Sequence, residues 1–177
     1  MDLKEKTVSK NYVYCGKIIN VRCDDAELPS GKPCKREVIE HSGGAAVLYV
    51  ESDAVLLVKQ FRYPYGEEIY EIPAGKRNRG EDPAVTAARE LAEETGLTAT
   101  ELEHIYTVYP TPGYTDEKIY IYHAKAAVQG SAHPDDGEFL HAQFIPLAEA
   151  ERMIRDGRIR DGKTIIAVQH YLLYRRA

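Results

Sequence analysis

Tryptophan is absent from this chain, and cysteine, phenylalanine and methionine are scarce: three, three and two in 177 residues. Without tryptophan, stacking on a planar ring falls to the thirteen tyrosines, to phenylalanine or to arginine. Cys15, Cys23 and Cys34 are odd in number and lack metal-type spacing, so neither a disulfide framework nor a zinc site is expected. They read as reduced thiols, which points to the cytoplasm. The six histidines are dispersed and never at ligand spacing, and are read as structural or surface residues. No apolar run reaches the ~18 residues of a membrane span, and the first dozen residues hold no apolar signal core, so no membrane is expected. An excess of positive charge is also missing. With 23 basic against 28 acidic residues, a net charge of −5, the chain offers no extended nucleic-acid surface.

What remains is a chain 44% hydrophobic, long enough for one globular domain with a small appendage. At this length a domain buries roughly 70% of its unfolded surface and needs no staples. Residues 12–23 alternate as a strand with a bulge at Gly16. A turn over 27–33 and a strand over 35–41 follow. A three-stranded apron of this size cannot bury both faces alone, so it should pack on the rest of the chain or on a second copy. Gly43-Gly44 breaks the pattern, which divides the chain into 1–43 and 44–177. Residues 45–51 and 55–61 form a hairpin joined by Ser52-Asp53. Strands over 101–109 and 117–126 flank a Pro-Gly loop at 110–116. A strand over 139–146, a helix over 147–156 and a last helix ending at Arg175 complete the chain.

The richest stretch is 75–97. Asp82 can cap a helix there, Pro83 can open it and Gly96 can end it. Glu90 stands i,i+3 to Glu93 and i,i+4 to Glu94, so three carboxylates share one face. The opposite stripe, Ala84, Ala88, Leu91 and Thr95, would lie against a sheet. In isolation this would be a solvated, Glu-rich amphipathic helix. The acids crowd the last turns, however, where the helix dipole disfavours negative charge by roughly 0.3–1 kcal/mol each. Such a cluster calls for a cation. Oxygen ligands alone suit Mg²⁺ or Mn²⁺ rather than Zn²⁺.

Gly75, Glu81, Arg89, Glu90, Leu91, Glu93, Glu94, Gly96 and Leu97 match G-x5-E-x7-R-E-U-x-E-E-x-G-U, with U a bulky aliphatic residue. In this the chain resembles the Nudix hydrolases. The resemblance implies an α+β fold, a mixed β-sheet sandwiched between helices, with an N-terminal antiparallel β apron. It implies that Glu90, Glu93, Glu94 and the carbonyl of Ala74 hold the metal. Arg89 then orients the carboxylates, and Glu81 anchors the loop. The reaction implied is cleavage of a nucleoside diphosphate joined to another moiety, with the metal polarising phosphoryl oxygens and activating water.

The strings G-K-I-I-N-V-R, L-P-S-G-K and R-E-V-I-E-H resemble the apron of the ADP-ribose pyrophosphatase group, whose members dimerise through it. In that group the Q-F-R segment contacts substrate phosphate, which implicates Arg62; guanidinium forks suit phosphate oxygens. A proline sixteen residues past the box glycine marks the same group, and Pro112 stands sixteen past Gly96. Its neighbours Gly113 and Tyr114 join it as substrate-loop candidates. Glu71 alternates with Ile69 and Ile72 and faces either the cleft or solvent. Glu138, with Asp136 second, is the acid that the resemblance sets beside the attacking water. An adenine slot would have to be built from Tyr12, Tyr14 or Tyr114. The expected substrate is ADP-ribose, with another nucleoside diphosphate sugar such as GDP-mannose as the alternative. A non-catalytic ligand sensor is disfavoured, since it would have no use for the intact glutamates.

Overall fold

The computed structural model describes residues 2–133 and 139–174. Two compact units emerge, one of the chain up to Gly43 plus Tyr109–Lys118, the other of Gly44–Val108 and the chain from Ile119 onward. The loop at 110–116 therefore clusters with the N-terminal strands, where a contiguous stretch over 44–177 had been expected.

The smaller unit is a four-stranded antiparallel sheet of β1 (Lys6–Ser9), β2 (Tyr12–Cys15), β3 (Ile19–Glu27) and β4 (Pro33–His41). β3 is central, pairing with β4 along one edge and with β1 and β2 in succession along the other. Three strands were expected. The differences are β1, which no sequence pattern marked, and Gly16, whose N–H donates to the Ile19 carbonyl at 2.9 Å and closes a turn where a bulge was predicted. The segment after Tyr109 is laced to β4. Ile39 N donates to Tyr114 O at 2.7 Å, Asp116 N to Ile39 O at 3.1 Å, and His41 N to Asp116 Oδ1 at 2.9 Å.

The larger unit holds β5 (Gly44–Glu51), β6 (Ala54–Arg62), β7 (Glu67–Glu71), β8 (Ala74–Lys76), α1 (Pro83–Thr95), β9 (Leu97–Val108), β10 (Ile119–Gln129), β11 (Leu140–Pro146), α2 (Leu147–Arg155) and α3 (Gly162–Tyr174). Its sheet runs β11-β6-β5-β10-β9, with β7 on β6 and β8 on β5. β5 and β10 are parallel and the other pairs antiparallel, so the sheet is mixed. The β5–β6 turn places Ser52 and Asp53 at φ 48° and 60°, positive at both central positions as a two-residue hairpin of this hand requires.

Strand periodicity explains the layers. Ala45, Val47 and Tyr49 of β5 pack with Ala87 and Leu91 of α1. Ala46 and Leu48 point to the other face, with Leu147 and Met153 of α2 and Ala167 and Val168 of α3. The sheet thus lies between α1 and the α2–α3 pair. Among the described residues no helix is long and apolar enough to cross a membrane.

Two left-handed glycines bracket the α1 region and differ in surroundings. A Cβ on Gly80 (φ +81°) would meet nothing within 4 Å, whereas one on Gly96 (φ +75°) would fall 2.7 Å from Ala132 N and 2.9 Å from Ser131 C. Gly80→Ala should lower stability by about 1–2 kcal/mol, the backbone term alone, and Gly96→Ala by clearly more, because backbone must move. Urea unfolding of both variants checks this; equal losses would contradict it.

Candidate active site

Local chemistry shapes α1 as its sequence suggests. The Asp82 side chain accepts from Ala84 N at 2.8 Å, Pro83 opens the helix, and Gly96 ends it with its N–H on the Ala92 carbonyl. The buried stripe differs from the expected one. It runs Thr86, Ala87, Glu90, Leu91, Glu94, so two of the three box glutamates go inward beside Leu91, and Ala88 and Thr95 are only half-buried. Helical spacing permits both stripes; packing against β5 and β8 selects this one.

Arg89 gathers the acids. Its Nη1 donates to Glu90 Oε1 and Glu93 Oε2, each at 2.8 Å. Its Nε and Nη2 reach the two oxygens of Glu81, each at 3.3 Å, and Nη2 also lies 3.4 Å from the Lys76 carbonyl. Glu81 Oε2 accepts in addition from Asn78 N at 2.9 Å, which closes the loop leading into α1. Burial works against the Arg89 charge, but Glu81, Glu90 and Glu93 outweigh it and raise its pKa above the usual arginine range.

The turn between β7 and β8 meets this cluster. Glu94 Oε2 accepts from Ala74 N at 3.0 Å. At Gly75 a Cβ would lie 2.0–2.3 Å from the Glu90 carboxyl atoms, so only glycine leaves room for that carboxylate. Pro73 O accepts from Val47 N at 2.8 Å and Ile72 N donates to Thr164 Oγ1 at 2.8 Å, fixing the turn to β5 and to α3. His133 N donates to the Glu93 carbonyl at 2.9 Å, which ties His133 to the box helix. Glu138 and Asp136 lie outside the described residues.

On β6 and β7, Arg62 Nε donates to Glu71 Oε1 at 2.5 Å and Nη2 to Glu71 Oε2 at 2.9 Å. Glu71 is 2% exposed. Lys163 Nζ also reaches Glu71 Oε2, and lies 3.0 Å from Asp161 Oδ1. Burial alone would raise the Glu71 pKa; Arg62 and Lys163 overcome it and hold the group below the ordinary carboxylate range. The bond to Glu71 raises the Arg62 pKa, and nearby Glu94 and Asp161 add to the effect. Of the two readings open for Glu71, burial removes the solvated edge residue. Its oxygens are taken up by two cations.

The larger unit thus brings together Ala74, Gly75, Glu81, Arg89, Glu90, Glu93 and Glu94, and joins Arg62 to Glu71. Pro112, Gly113 and Tyr114 belong to the smaller unit. Lys163, Asp161 and Thr164 are not among the residues that the sequence singles out. Their partners Glu71 and Ile72 are 92 residues away, and no local signal joins them.

Among the described residues, no three His, Cys, Asp or Glu side chains stand ready as a metal cage. The donor chemistry nonetheless fits a hard divalent cation: three carboxylates, a backbone carbonyl at Ala74, and a glycine that leaves room for the Glu90 carboxylate.

A family model described as NUDIX domain matches residues 40–168, and one described as nucleoside diphosphate sugar hydrolase N-terminal domain matches 5–39. The chain is 40% identical over 174 residues to the ADP-ribose pyrophosphatase of Bacillus subtilis (strain 168), covering 97% of this chain and 94% of that one. It is also 40% identical over 173 residues to a methanol dehydrogenase activator of Bacillus methanolicus, covering 96% and 94%. A solved ADP compounds hydrolase superposes with a TM-score of 0.83 at 21% identity, covering 95% of this chain and 92% of that one, a likeness of fold.

The Glu81 carboxyl titrates at about 2 instead of 4.5, because Arg89 and then the Asn78 amide favour its charged form. A depressed carboxyl stabilises the fold fully above its unfolded pKa, and that contribution is lost as pH falls through the folded one. The melting-temperature difference between wild type and Glu81→Gln should therefore hold constant above about pH 5 and shrink as pH drops towards about 2. A difference that keeps its full size near pH 3 would contradict the assignment.

Proposed function

The chain belongs to the Nudix family, and on that premise we propose that it hydrolyses the pyrophosphate bond of ADP-ribose, giving AMP and ribose 5-phosphate. The carrying observation is the Arg89 cluster, an intact box helix with all three glutamates gathered. Identity of 40% to an ADP-ribose pyrophosphatase over nearly the whole of both chains supports the substrate.

Glu90, Glu93, Glu94 and the Ala74 carbonyl would hold the divalent cation, for which Mg²⁺ is our choice and Mn²⁺ the substitute. When bound, it supplies charge stabilisation to phosphoryl oxygens and lowers the pKa of water. Arg89 keeps Glu90 and Glu93 aimed and offsets their repulsion. Arg62 is our candidate for the diphosphate, since its side chain stays 39% exposed while two of its nitrogens are held on Glu71. Glu138 is our candidate for taking the proton from the attacking water, with Asp136 second, and Glu71 acts through Arg62. Selection among nucleoside diphosphate sugars cannot come from the box, whose chemistry is common to all. We assign it to Arg62 and to the loop bearing Pro112, Gly113 and Tyr114. A reducing cytoplasm suits the three free cysteines.

We also propose a homodimer formed through residues 1–43. The small sheet leaves Leu3, Val8, Tyr12, Val13, Tyr14 and Ile18 each more than half exposed, which a second copy would cover. Light scattering at micromolar concentration should give twice the chain mass; a fully active monomer would reject the dimer.

A panel of nucleotide substrates with added Mg²⁺ tests the activity. ADP-ribose should show the highest kcat/KM, above GDP-mannose, UDP-glucose and NADH. Glu94→Gln and Glu138→Gln should each lower kcat by roughly 10²-fold or more with the fold retained. GDP-mannose outrunning ADP-ribose tenfold, about 1.4 kcal/mol of transition-state preference, would transfer the assignment to that substrate. Near-normal turnover by Glu94→Gln would sink the metal site.

A further inference from the structure

Sequence places the first turn of α3 far from the box, and nothing in the family signature refers to it. In space it touches two parts of the site. Asp161 Oδ2 accepts from Thr164 N at 3.0 Å and from Thr164 Oγ1 at 2.6 Å, as a helix cap does. Its other oxygen, Oδ1, takes Lys163 Nζ at 3.0 Å. Lys163, with its side chain only 10% exposed, is thereby pointed at Glu71 instead of at water.

We infer that Lys163 is a positioning residue: through Glu71 it fixes the Arg62 guanidinium in the orientation that receives the substrate diphosphate. This rests on the reading of Arg62 given above. Glu71 can hold Arg62 by two parallel bonds only if its carboxylate plane is set, since rotation about its last torsion is otherwise soft. Lys163 sets the plane by donating to Oε2, the oxygen that also accepts from Arg62 Nη2, and it supplies the second charge that a buried carboxylate shared with a half-exposed arginine needs. Arg62 Nε and Nη2 are spent on Glu71, so the exposed edge is the one left for an anion. Thr164 extends the same turn to the backbone, taking the N–H of Ile72 at 2.8 Å two residues before Ala74. One helical turn, 92 residues along the chain, thus braces both the guanidinium and the carbonyl-bearing turn.

The test compares wild type, Lys163→Met, Arg62→Ala and the double variant, reading kcat and KM for ADP-ribose and the Kd of an analogue with a methylene-bridged diphosphate. Lys163→Met should stay folded at the assay temperature while melting below wild type, raise KM and the analogue Kd on the order of tenfold, and change kcat less. Lys163→Arg should restore most of the loss. In the Arg62→Ala background, Lys163→Met should add nothing. Losses that multiply in the double variant would mean that Lys163 acts independently of Arg62, and the inference falls. A ligand-free readout separates this from the substrate reading: the Arg62 Nε–H proton should exchange slowly with solvent in wild type and markedly faster in Lys163→Met. Unchanged exchange overturns the inference whatever the substrate. Faster exchange in a protein that ignores ADP-ribose upholds the brace and rejects only that substrate. If Lys163→Met does not fold, Lys163→Gln serves the same comparisons.

Discussion

Everything at this site depends on one guanidinium being shared among carboxylates that would otherwise repel. Glu90, Glu93 and Glu94 fall within five residues of one helix, near the end where the dipole is least hospitable to them. Two are buried, where repulsion is screened least. Arg89 answers with a planar fork no lysine could reproduce, one nitrogen on the helix acids and the others on Glu81 and the Lys76 carbonyl. Helix and preceding loop become a single object, and the turn bearing Ala74 is added to it by Glu94. The fork also explains why Glu81, which touches no other box glutamate, belongs in the pattern.

The second charged cluster solves a complementary problem. Around Arg89, one cation is shared by Glu81, Glu90 and Glu93, with Glu94 in the same helix. Around Glu71, Arg62 and Lys163 are balanced by Glu71 and Asp161, and no surplus remains. Carboxylates are therefore concentrated on the box helix, and cations around Glu71. A divalent cation would find its counter-charge on that helix, while the Arg62 side chain stays 39% exposed.

Much of this was legible from residues alone. Asp82, Pro83 and Gly96 bound α1 because caps are local chemistry, and the glutamate spacing follows from helical geometry. The runs at 45–51 and 55–61 marked the β5–β6 hairpin. Less was legible where distance along the chain intervenes. The stripe of α1 that turns inward is chosen by its neighbours on β5 and β8, so Ala88 and Thr95 were misassigned while Glu90 and Glu94 proved buried. Glu71 had two open readings because its partner Lys163 lies 92 residues on, beyond any periodicity. Gly16 was read as a bulge because a tight turn and a bulge carry the same glycine signal. The grouping of the Pro110–Asp116 region with the N-terminal strands depends on hydrogen bonds from Ile39 and His41, which no spacing announces.

That grouping bears on inheritance. The backbone passes between the two units at three points, after Gly43, after Val108 and after Lys118. A unit attached at one point can be swapped by a single genetic crossover, and loses or gains its specificity as a cassette. Here a crossover at the Gly43-Gly44 junction would import foreign strands while leaving the resident 109–118 segment to find β4 partners it did not evolve with. Lineages exchanging this N-terminal unit would be expected to keep an acceptor at position 116, where the Asp116 side chain takes the His41 N–H, so the 109–118 segment and the small sheet should change in concert.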